Sequence, residues 1–118
     1  MGILCEYQGN IAKHASETDA GHCDAMNKSI LSANGDIVGI RNSNDSFESK
    51  DTVEYAANRC CSASDADFVI GDVFFVGESN LITVKSYYSS RKFKPWKLRP
   101  GWMAPHPGTF VRRGAYTK

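Results

Sequence analysis

The chain has no apolar run long enough to cross a membrane. Its longest apolar stretch, Phe68 to Val76, is interrupted by Gly71 and Asp72, whereas a span needs roughly 20 residues. No basic, apolar leader opens MGILCEYQGN, so no signal peptide is read there. Glu6 stands where an N-myristoylation signal wants Ser or Thr. The four cysteines form no CxxC pair, since Cys5 and Cys23 stand apart and Cys60-Cys61 are adjacent. That excludes a zinc knuckle and leaves reduced thiols in a cytoplasmic protein as the expectation. Internal repeats and low-complexity tracts are absent. With 118 residues, 42% hydrophobic and 23% charged, the chain reads as one folded domain, neither disordered nor collagenous.

Acidic residues are missing from one part of the chain altogether. Residues 1–84 hold five Lys/Arg and all 13 Asp/Glu, a balance of −8. Residues 85–118 hold nine Lys/Arg and no acid, a balance of +9, together with all four prolines and seven of the 13 aromatics. Such a division has two readings. The basic segment faces an anion (phosphate, nucleic acid or an acidic membrane surface), or the two parts neutralise each other in the fold.

Local patterns predict a mixed α/β domain. Residues 3–13 read as a helix remnant, with Ile3, Leu4, Tyr7 and Ile11 near helical spacing. Asp24 is positioned to cap a helix through Ala25, Met26, Lys28, Ile30, Leu31 and Ala33, which Asn34-Gly35 stops. Residues 36–40 read as a short buried strand and 42–45 as a polar turn. A second helix runs from Lys50 or Asp51 to about Cys61, with Val53, Ala56, Ala57 and Cys60 on one face. Phe68–Val76 reads as a strand buried on both faces, with Leu81–Tyr88 hairpinned back upon it. Residues 89–108 are irregular, Thr109–Arg112 is a short strand, and Gly114 begins a helix. Helical pieces at both ends suggest part of a larger unit.

Some of these segments carry residues suited to chemistry. Asp24, Asn27 and Lys28 open a helix, whose free N–H groups suit a phosphate or a nucleobase edge. Asn44 and Asp45 follow the end of a buried strand, where open α/β sheets bind ligands, and a carboxylate there can hold a hard cation bridging two phosphates. The same residue types also make an ordinary solvated turn. His106 is fixed between Pro105 and Pro107. Arg99, Arg112 and Arg113 are candidate phosphate binders through their guanidinium forks.

In order and spacing these segments resemble an inverting glycosyltransferase of family 2, the bacterial polysaccharide type with a GT-A fold. The resemblance runs through Ser16–Gly21, Asp24-Ala25-Met26-Asn27-Lys28, Gly35–Gly39, Asn42-Ser43-Asn44-Asp45, Asp67–Val73 and Arg99–Arg113. It implies a partial GT-A-like mixed sheet flanked by helices and lacking the first strands. It also implies a donor site for a nucleotide-diphosphate sugar at Asp24, Asn27, Lys28, Asn44 and Asp45. Mg or Mn would bind at Asp45, and a saccharide or lipid-linked acceptor beside Arg99, Trp102, His106, Arg112 and Arg113. The pattern departs from the family at Asn44, where a second acid is usual, at Ser29 for Gly, at His22-Cys23 and at Thr18. The nucleotide-binding first strands and the catalytic base have no counterpart; Asp72 and His106 are stand-ins to consider for the base. The expectation is therefore a glycosyltransferase-like fragment, catalytically incomplete alone, cytoplasmic or peripheral at a membrane, and oligomeric through an exposed sheet edge. The alternatives are a nucleic-acid or anion-binding module through 85–118, and a non-catalytic oligomeric remnant.

Overall fold

The computed structural model describes residues 2–101 and 103–117. Three helices, α1 (Gly2–Glu6), α2 (His22–Ser32) and α3 (Thr52–Ser62), accompany five strands. The strands are β1 (Ile37–Gly39), β2 (Phe68–Ile70), β3 (Val73–Gly77), β4 (Asn80–Tyr88) and β5 (Thr109–Arg112). They form two separate antiparallel sheets, one ordered β1-β5-β2 and one the hairpin β3-β4. The mixed α/β class stands, but the expected GT-A-like mixed sheet is not seen among the described residues: each strand pair there is antiparallel.

Strand β5 is central although it comes last. It pairs Val38 with Val111 on one side and Val69 with Phe110 on the other. The run 68–76 is not one strand. It breaks at Gly71-Asp72, where the Gly71 N–H donates to the Gly108 carbonyl at 2.6 Å and the Asp72 carboxylate accepts from the Ser90 N–H and hydroxyl at 2.8 and 2.7 Å. These bonds turn the chain out of one sheet and into the other. The expected two-sided burial fails with it: Phe74 and Phe75 are about half exposed, at 51% and 53%.

Helix α2 begins two residues before its expected cap. Gly21 is the N-cap, at φ 119°, a left-handed conformation that favours glycine. Its N–H donates to Asp19 Oδ1 at 2.9 Å. Asp24 sits inside the first turn and its Oδ2 accepts the Ala20 N–H at 3.0 Å, which braces the entry to the helix. Helix α3 buries Ala56 and Cys60, one turn apart, whereas Val53 on the same expected face is 50% exposed. The expected terminal helix is a 3-10 turn, Arg113–Thr117. The remnant at the start is helical only over Gly2–Glu6, followed by a 3-10 turn at Gln8–Asn10.

Among the described residues, the buried apolar side chains are Ala56, Cys60 and Phe110, of which Cys60 is fully enclosed. The chain exposes 9594 Å², whereas a compact protein of its mass exposes roughly 6,300 Å². Its radius of gyration is 15.7 Å against roughly 13.5 Å for a compact chain of this length. Much apolar surface that folding would normally bury is therefore open to solvent, above all on the hairpin, where Leu81 is 73% and Ile82 91% exposed.

Candidate functional site

The polar turn after β1 is the part of the candidate site that the fold builds most firmly. The Asp45 N–H donates to the Asn42 carbonyl at 3.1 Å, and Asp45 Oδ2 accepts the Asn42 N–H at 3.1 Å. The carboxylate thus closes its own turn through Oδ2, as Asp does in such loops, and Oδ1 takes no donor among the described residues. Phe47 anchors the far side. Its ring stacks on Phe110 with centroids 6.2 Å apart, and the Arg41 guanidinium lies 5.5 Å above it.

Two cavities flank this segment. One of about 460 Å³ is lined by Phe47, Glu48, Gly71, Asp72, Pro107 and Phe110, with β3 and β4 side chains. The other, about 360 Å³, lies between α2 and β1 and is lined by His22, Met26, Ser29, Gly39, Arg41 and Asn42. Segments separated in sequence therefore meet in two groups: α2 with β1 and Asn42 at one cavity, and, at the other, Phe47-Glu48 with the Gly71-Asp72 break and the Pro107-Gly108 turn. The last of these is fixed by the Thr109 hydroxyl, which donates to the Pro105 carbonyl at 2.8 Å.

The donor-side residues do not all converge. Lys28 faces back along its own loop. Its ammonium lies 3.1 Å from Asp24 and 3.3 Å from Glu17 and donates to the Thr18 carbonyl at 2.9 Å. The bonds to Asp24 and Glu17 raise its pKa above the ordinary lysine value. Lys28 and the exposed Asn27 line neither cavity. Asn44 is exposed on the turn.

The acceptor-side arginines are engaged by main chain. Arg112 Nε donates to the Ala66 carbonyl at 2.8 Å, and its terminal nitrogen reaches the carbonyls of Cys60 at 2.5 Å and Ala63 at 3.3 Å. It closes the C-terminal end of α3, where carbonyls and the helix dipole favour a cation. Arg113 Nε donates to the Gly35 carbonyl at 2.9 Å, beyond the end of α2. Both are spent on holding helices to β5. Arg99 is exposed, His106 is half-buried in its turn, and Trp102 lies outside the described residues.

Asp72 is poorly suited to accept a proton. Hydrogen bonds from Tyr87, whose hydroxyl lies 2.5 Å away, and from Ser90 lower its pKa to about 2. A carboxylate held this way stays ionised but is a weak base. It works as the clamp between the hairpin and the segment that follows it. Neither this role nor that of Arg112 is signalled by local sequence, because each partner lies 15 or more residues away.

Among the described residues, no group of three or more His, Cys, Asp or Glu could hold a metal. Asp45 offers a single carboxylate, which suits only an ion arriving with phosphate oxygens, as Mg²⁺ usually does. No described helix is long and apolar enough to cross a membrane. Compared with protein-family models, curated proteins and solved structures, the chain matches none.

Proposed function

We propose that this chain is the central and acceptor-side part of a nucleotide-sugar glycosyltransferase of the family 2 type, incomplete for catalysis by itself. One observation carries the reading. The motif segments that prompted the resemblance are scattered over some 90 positions, yet α2 and Asn42 line one cavity and Phe47, Gly71-Asp72 and Pro107-Gly108 line another, with Asp45 on the short stretch between Asn42 and Phe47. In this reading the donor diphosphate lies against the turn. Asp45 is the residue that would hold a Mg²⁺ or Mn²⁺, which would supply charge neutralisation for a leaving diphosphate. The exposed amides of Asn44 and Asn27 would be available to a donor from outside the cavities.

These residues bind and orient. Asp72 is committed to Tyr87 and Ser90, which makes it a weak base for the acceptor proton. Lys28 reaches a phosphate only by exchanging its contacts with Glu17 and Asp24. Asp45→Ala is the direct test. It should abolish Mn²⁺-dependent binding of a nucleoside diphosphate with circular dichroism unchanged, at a cost of about 1 kcal/mol in stability for the lost bond to the Asn42 N–H. Unchanged metal-dependent binding would remove the site assignment.

A further inference from the structure

The segment joining β4 to the Pro107 turn carries a feature the proposed transferase reading does not use. Between Arg91 and Arg99 stand five basic residues in nine positions, Arg91, Lys92, Lys94, Lys97 and Arg99, with no acid after Glu78 in the whole chain. Arg91, Lys92, Lys94 and Arg99 are exposed. Arg91 lies close enough to the Asp72 carboxylate to help hold its pKa down, while Lys92, Lys94 and Arg99 face solvent. Lys97 is different: it is half-buried and donates to the Lys92 carbonyl at 2.9 Å, which ties the two 3-10 turns Ser90–Lys92 and Pro95–Leu98 together. Phe93 is held from the other side, edge-on to Phe68 with centroids 5.7 Å apart. The segment is therefore a fixed surface loop, fastened at Asp72, Phe68 and Lys97.

From this fastened loop project large apolar groups. Trp96 is 65% exposed, Leu98 47% and nearby Met103 69%. Exposed Trp beside unpaired Lys and Arg is the combination that suits a membrane–water interface. The indole sits at headgroup depth, Leu and Met enter the acyl boundary, and the cations meet anionic lipid. A single-stranded nucleic acid also pairs cations with aromatic faces, but it needs a row of stacking platforms. Here Phe93 is packed edge-on against Phe68, leaving Trp96 as the exposed ring between Arg91 and Arg99, and the aliphatic Leu98 and Met103 offer nothing to a base.

We propose that the exposed side chains of residues 91–99, with Met103, form a docking surface for an anionic phospholipid membrane, bound peripherally. The surface stands independently of the glycosyltransferase reading.

The test is sedimentation of the full chain with vesicles of phosphatidylcholine alone, and of phosphatidylcholine with 30% phosphatidylglycerol. Expected is binding only to the anionic vesicles, weakening steeply as salt rises, with a blue shift of tryptophan emission. Each neutralised cation should weaken partitioning about fivefold, so Lys92→Gln with Lys94→Gln should lose roughly 25-fold. Trp96→Ala should weaken binding and abolish most of the blue shift. These side chains are exposed, and unchanged circular dichroism would confirm that each variant folds. No binding to anionic vesicles, or equal binding to both kinds, would overturn the proposal. So would salt-sensitive binding of a single-stranded oligonucleotide that displaces the chain from vesicles and depends on Trp96, which would assign the surface to nucleic acid.

Discussion

Replacing Arg112 should cost this protein far more stability than replacing its neighbour Arg113, and the structure sets the scale. Arg112 is half-buried and spends its guanidinium on the carbonyls of Cys60, Ala63 and Ala66. A hydrogen bond involving a charged group contributes about 1.5–3 kcal/mol net. Two of the three are short, at 2.5 and 2.8 Å, and the third, at 3.3 Å and exposed, contributes little. Water can partly replace the lost donor, so Arg112→Ala should cost about 3 kcal/mol. That is a large share of the roughly 5–15 kcal/mol a domain has in total. Arg112→Lys keeps the charge at the end of α3 but not the fork, and should recover about 1 kcal/mol through the helix dipole. Arg113→Ala loses one exposed bond to Gly35 and should cost no more than about 1 kcal/mol. Equilibrium urea unfolding followed by circular dichroism reads these differences as midpoint shifts, about 1.5–2 M for Arg112→Ala at a slope typical of small proteins. An Arg112→Ala midpoint within error of wild type would refute the reasoning, and would return the guanidinium to the phosphate-binding role its sequence position suggests.

Further outcomes follow from the same contacts. Gly108→Ala should destabilise by about 1–3 kcal/mol, because an added Cβ would lie 2.8 Å from Val73 Cγ2 and 2.9 Å from the Gly71 carbonyl oxygen; an undisturbed melting temperature would show that this close approach is not real. The Asp72 clamp should make stability acid-sensitive. Its folded pKa of about 2 lies below the ordinary value of 3.8, so its contribution is complete above about pH 4 and is lost as pH falls through 2. Asp72→Asn should be less stable at pH 7 and lose less between pH 4 and 2; an unchanged acid limb would contradict the clamp. Self-association through the open edge of β4 is expected, since an isolated hairpin is marginal in water and Leu81 and Ile82 are largely exposed. Light scattering should show a dimer that Ile82→Lys weakens, and a monomer at all concentrations would reject it.

The elements themselves are largely legible in the sequence. Helix α2 ends near the expected place, but at Ser32 through an extended Ala33 and not through a left-handed Gly35; the apolar spacing of 53–60 marks α3, and alternation marks β4. What local pattern cannot convey is which strands pair. Phe68–Val76 is continuous in composition, and only the distant partners Gly108 and Ser90 divide it at Gly71-Asp72. The central place of β5 depends on pairings about 40 and 70 residues away. The candidate site was legible in part. The turn at Asn42–Asp45 forms because Asp45 closes it locally. The fates of Arg112 and Arg113 were not, because their carbonyl partners lie 46 or more residues away; Lys28 instead pairs locally, with Asp24 one turn before it.

The central claim is a donor-diphosphate site beside Asp45, and calorimetric titration of the full chain with UDP, GDP and dTDP, each with and without Mn²⁺, tests it most directly. The account predicts heat of binding for at least one of the three, present only with Mn²⁺. A folded sample that binds none of them under either condition would contradict it.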